Sequence, residues 1–116
     1  MRHVLPVLLT LAACNSIYQT RTYAGRQTPL AGICNPPSQA SLTQRGSQFI
    51  LAPGDGTLTL EGPAAGDILH LEATLIGADR LPYRLVFQGQ LAKAEIVGTL
   101  TTPRCRYALA FKRTGD

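Results

Sequence analysis

Three cysteines, Cys14, Cys34 and Cys105, carry most of the reactive chemistry in this 116-residue chain. A thiol can take lipid, form a disulfide, bind metal or act as a nucleophile, and an odd number leaves at least one outside any pairing. The other reactive side chains are sparse. His70, two positions from Glu72, is the one histidine beyond the first ten residues; a zinc site would need two or three more ligands. Ser16, Ser38, Ser41 and Ser47 sit in no nucleophile-elbow motif. Asp55, Asp67 and Asp79 stand among turn formers, and Glu61, Glu72 and Glu95 among alternating residues, so they read as turn and solvated positions. Gly54-Asp55-Gly56 lacks the Lys and the following helix of a phosphate loop. Arg104, Arg106 and Lys112 fall on one face of an alternating stretch, with Arg113 adjacent and Arg84 on a nearby strand. Such cations either protect a sheet edge or dock an anionic partner, such as phospholipid headgroups, lipopolysaccharide or an acidic protein.

Length and composition narrow the choices. The chain has room for one domain. Its 45% hydrophobic content is that of a globular protein, although part of it lies in the first thirteen residues. Beyond those residues ten Lys/Arg face seven Asp/Glu, a net +3, too weak and too scattered for nucleic-acid binding. No cofactor or metal is implied.

The start of the chain is the most specific segment. Met1-Arg2-His3 is basic, and Val4 to Ala13 is a ten-residue stretch broken only by Pro6 and Thr10. Spanning about 30 Å of hydrocarbon takes roughly 20 apolar residues, so this is no membrane span. Charge, short apolar core and small residues make the secretory-signal pattern, residues 1–13. Leu11-Ala12-Ala13-Cys14 closely resembles the lipobox of bacterial lipoproteins: Leu, two small residues and Cys. The resemblance covers the leader alone. It implies cleavage before Cys14, a thioether-linked diacylglycerol on that cysteine and commonly a third acyl chain on its amine. One acyl chain binds a membrane marginally, at roughly 0.8 kcal/mol per buried methylene; two or three give a lasting anchor. With Cys14 assigned to lipid, Cys34 and Cys105 remain as a disulfide pair in an oxidising compartment. Asn15, where Asp would tend to hold a lipoprotein at the inner membrane, favours the periplasmic side of the outer membrane in a Gram-negative host.

Asn15 to Ile33 shows no sustained period of 2 or 3.6, so residues 14–33 are expected to form a lipidated tether. As a coil its nineteen residues would span roughly 25 Å. From Cys34 short alternating runs separated by turn residues predict one β domain, 34–116. Strands are expected at Ala40–Gln44, Gln48–Ala52, Thr57–Glu61, Ile68–Ile76, Tyr83–Gln88, Ala94–Leu100 and Arg104–Lys112. About seven short-linked strands make an all-β antiparallel meander that closes into a small barrel or folds over as a sandwich. Cys34 and Cys105 bracket the meander, and a bond between them is expected to join its ends.

Two functions fit this architecture. The first is a non-enzymatic binding module on a lipid anchor, with a protein partner, inhibitor or envelope-assembly role. In outline it resembles the small lipidated barrels that inhibit lysozymes or assist envelope assembly, although the Ser-Gly loop motif of the c-type lysozyme inhibitors is missing. The second is a lipocalin-like carrier of a small apolar ligand. Inward Leu, Ile, Phe and Tyr are expected to fill most of the interior, leaving space only beneath the small residues Ala73 and Gly98.

Overall fold

Alternating runs this short can bury their apolar face only by pairing in sequence and curling over it, and the chain does so. A computed structural model describes residues 20–54 and 58–115; the expected leader and Cys14 lie outside the described residues. Eight strands follow in order: β1 Thr20–Gly32, β2 Ser38–Arg45, β3 Gln48–Pro53, β4 Leu60–Ala65, β5 Ile68–Ile76, β6 Pro82–Ala92, β7 Glu95–Thr101 and β8 Cys105–Gly115. Each pairs antiparallel with the next and β8 returns to β1, closing the barrel.

The first strand corrects the tether expected over residues 14–33. From Thr20 onward the chain is barrel wall, paired with β2 from Thr20↔Arg45 to Gln27↔Ser38 and with β8 from Thr22↔Gly115 to Gly32↔Cys105. Its inward positions are Tyr23, Gly25 and Gln27, a mixture that shows no hydrophobic period. Backbone hydrogen bonds on both edges hold it instead. Pro29, which has no N–H to give, lies beyond the last β2 pair and beside an irregularity in the β8 ladder.

Two boundaries also move. The fourth strand begins at Leu60 and runs through Gly62-Pro63-Ala64-Ala65, expected as a break. Gly62 permits it, because a Cβ there would collide with the His70 carbonyl oxygen. The sixth strand continues through Gln90-Leu91-Ala92, and only Lys93-Ala94 turns.

The two ends of the barrel differ. At the base, two-residue turns at Gly46-Ser47, Gly66-Asp67 and Lys93-Ala94 join β2–β3, β4–β5 and β6–β7. The first residue of each has positive φ, 63°, 63° and 59°, as tight hairpins require. At the mouth the connections run to three to six residues.

The base half is packed solid. Phe49, Phe87 and Phe111 are fully buried with Leu42, Leu51, Leu69 and Ile96, and Phe87 meets Phe111 edge-on at 6.3 Å between centroids. Glycines make room for the rings. A Cβ on Gly25 would meet Phe111 at 2.6 Å, and one on Gly89 or Gly98 would meet Phe87 at 2.6 and 2.7 Å. The space expected beneath Gly98 is therefore occupied by the Phe87 ring, and Ala73 packs against the core. Tyr23 seals the base by donating to Gln44 Oε1 at 3.1 Å, while Gln44 Nε2 donates to the Gly46 carbonyl.

Cys34 and Cys105 form a disulfide across 71 positions. It does not join the ends of the meander as expected, because Cys34 lies in the β1–β2 loop. It fastens that loop across β1 to the start of β8, and Asn35 N–H donates to Tyr107 Oη at 3.0 Å beside it. Replacing both cysteines by serine should lower unfolding stability by up to about 4 kcal/mol, the chain-entropy bound for a loop of this length. A denaturant midpoint unchanged from the oxidised protein would contradict this. Gly98→Val should destabilise by about 3 kcal/mol, since the added carbons overpack against Phe87 and the Gln88 carbonyl; thermal unfolding measures it.

Candidate functional site

Alternation continues past the packed half with smaller inward volume, and the barrel opens at its mouth into a cup of about 1360 Å³. That exceeds the roughly 300–1,000 Å³ of common ligand clefts because the mouth is open. Leu60, Leu75, Leu85 and Leu100 supply apolar wall, and Tyr83 and Tyr107 add rings. The loops at Ile33–Ser38, Gly77–Asp79 and Thr102–Arg104 form its upper part. Leu30, Ile33, Ile76 and Leu81, near these loops, are 55–71% exposed, an apolar fringe at one end of the molecule.

Gln27 interrupts the apolar wall. It is 6% exposed, the single buried polar side chain among the described residues, and its Oε1 has no hydrogen-bond partner there. An unpaired buried amide oxygen costs about 1–3 kcal/mol, so its place on the wall of an open cup is unusual. Sequence reading passed over Gln27 because it lies where no strand was expected. A glutamine two positions from glycine carries no period.

The outer face carries the other polar cluster. His70 Nε2 lies 2.8 Å from Glu72 Oε2, and Arg84 Nη1 donates to Glu72 Oε1 at 3.0 Å. Gln88 Nε2 is 3.4 Å from His70 Nδ1. Register explains the gathering, since β5 and β6 pair His70↔Gln88 and Thr74↔Arg84. The group is well exposed, no hydroxyl or thiol joins it among the described residues, and exposed ion pairs of this kind contribute little. The hydrogen bond from His70, with Arg84 assisting, holds the Glu72 carboxyl below its ordinary range.

The basic residues singled out earlier do not form one patch. Arg104 lies in the β7–β8 loop at the cup, not on the strand as expected, while Arg106 and Lys112 are exposed on β8. Arg104 and Lys112 are separated by eight residues, roughly 26 Å of strand, more than two Debye lengths at physiological salt. Edge protection does not explain them either, because β8 is paired on both sides. Arg84 is engaged by Glu72.

Most outward strand positions are polar, including Thr22, Arg26, Gln39, Ser41, Glu61 and Gln88. A lipid-embedded barrel would show an apolar band there. Among the described residues no helix is long and apolar enough to cross a membrane, and no group of three His, Cys, Asp or Glu could hold a metal. No protein-family model, curated protein or solved structure significantly matches the chain.

Glu72 gives a pH signature with a definite sign. Its folded pKa is depressed, so its favourable contribution is present above the unfolded value and fades as pH falls through the folded one. A carboxyl-carbon NMR titration should find the Glu72 midpoint below the ordinary glutamate range, moving upward in His70→Ala. An unmoved midpoint would show that the histidine contact does not persist in solution.

Proposed function

We propose that this chain is a lipid-anchored protein of the cell envelope whose barrel is a non-enzymatic binding module acting through its mouth. The open cup with its exposed apolar fringe is the observation that carries the reading. An apolar edge left in water marks a surface that meets something. The Leu11-Ala12-Ala13-Cys14 motif supports the anchor, and in a two-membrane host Asn15 favours the periplasmic side of the outer membrane.

The place where β1 begins supports a particular presentation. Six residue steps separate Cys14 from Thr20, a reach of at most about 21 Å. Thr20 pairs with Arg45, beside the Gly46-Ser47 turn, and so belongs to the base. The thirteen residues of β1 rise about 30 Å along an axis tilted in the usual way for a barrel. Turning the mouth onto the anchoring bilayer would require the linker to run that whole height, which it cannot. The mouth therefore does not rest on the anchoring bilayer and stays open to an envelope protein or an anionic envelope surface, with Arg104 at the rim to meet negative charge. A second reading, a carrier of a small apolar ligand, is favoured by the cup's leucine wall.

Metabolic labelling with an alkyne fatty acid should mark the wild-type protein, and Cys14→Ser should abolish the label. A photo-crosslinking residue at Leu81, on the mouth, should give adducts in native envelopes where the same residue at Lys93, in a base turn, gives none. An unlabelled soluble protein would remove the anchor; equal adducts from both ends would remove the mouth as the binding face.

A further inference from the structure

We infer that the cup binds a small neutral amphiphile, an aliphatic molecule carrying one hydroxyl or carboxamide N–H that donates to Gln27 Oε1. The inference rests on the mouth as the binding face and adds the ligand's chemistry.

The wall decides the body of the ligand. Leu58, Leu75, Leu81 and Tyr83 line the cup and keep part of their apolar surface exposed, and an apolar chain laid against them removes that surface from water; Leu60, Leu85 and Leu100 beside them are already buried in the core. Gln27 decides the polar group. Its oxygen is sealed within the wall without a donor, and the terminal amide turns on a soft, two-fold torsion that can bring the oxygen round toward the cup. A ligand donor arriving there removes an unpaired group and a desolvated donor together, so the bond favours binding more than one made at the surface.

The charge follows from what is missing around it. Gln27 is the single buried polar or charged side chain among the described residues, so an ion drawn to its depth would have no counter-charge. The charged side chains of the cup stand at its rim, Arg104 and Asp79, away from that depth. A structural role for Gln27 explains the site poorly, since a leucine would fill the same volume without stranding a carbonyl.

The test uses the whole mature chain bearing Cys14→Ser, oxidised, titrated with octanamide, octan-1-ol and octan-2-one while NMR follows the Gln27 amide and the Leu60, Leu85 and Leu100 methyls. Octanamide and octan-1-ol should move these signals and bind about tenfold tighter than octan-2-one, which has the same length but no donor; that factor is what one buried hydrogen bond is worth. Gln27→Leu should erase the preference, keep weaker binding of all three and raise the melting temperature. A preference that survives Gln27→Leu, equal binding of the three probes, or shifts confined to residues outside the cup would overturn the inference. So would no binding at all, which leaves Gln27 hydrated by water only. The Leu81 crosslink is measured independently, so its persistence in that case would sink the ligand and leave the binding barrel standing.

Discussion

The backbone ladder between the first and last strands is the interaction on which the rest depends. Without it the chain is an open eight-strand meander with two bare edges and an apolar face that cannot be covered. With it, every strand is paired on both sides and the interior becomes a core. Thr22 meets Gly115 at the base and Gly32 meets Cys105 at the mouth, so the seam runs the full height. The disulfide and the Asn35–Tyr107 hydrogen bond pin the mouth end of this seam. Side-chain hydrogen bonds between Thr22 and Thr114 sit at the base end.

Closure by itself would leave the interior undefined, and volume does the rest. Three phenylalanines, two of them set over glycines, fill the base half to contact distance. Toward the mouth the inward residues become leucine, tyrosine and a single glutamine, and the packing stops short of the rim. One closed sheet thus holds two regions with different work, a packed plug that carries stability and a cup with unpaired surface. The base also carries the chain's entry into the barrel, which is why an N-terminal anchor would keep the mouth off the anchoring bilayer.

Much of this architecture was readable in the residues. Strict alternation located Ile68–Ile76 to the residue, and the turn at Gly46-Ser47 was legible from glycine beside polar residues. What escaped was whatever backbone pairing fixes without help from side-chain pattern. The first strand turns Tyr23, Gly25 and Gln27 inward, chosen for the space left by Phe111 and for the cup, so no hydrophobic rhythm announces it. Pro63 and Gly62 read as breakers, yet close approach to β5 makes glycine necessary inside a strand. The cup was missed for the same reason. Ala73 and Gly98 looked like openings because their size was visible, whereas the ring that fills the space at Gly98 comes from Phe87, on the neighbouring strand.

The unequal connections at the two ends carry a consequence for how such a barrel can diversify. At the base, two-residue turns leave no slack, and a length change there would shift strand register and turn side chains inside out. At the mouth, loops of three to six residues can lengthen at little expense, because doubling a loop adds only about 0.6 kcal/mol of closure entropy. Insertions and deletions are thus tolerated where recognition would occur and rejected where the core is built. Descendants of this chain can change what they hold by redrawing three or four loops, while the packed half and the closing seam pass on unaltered.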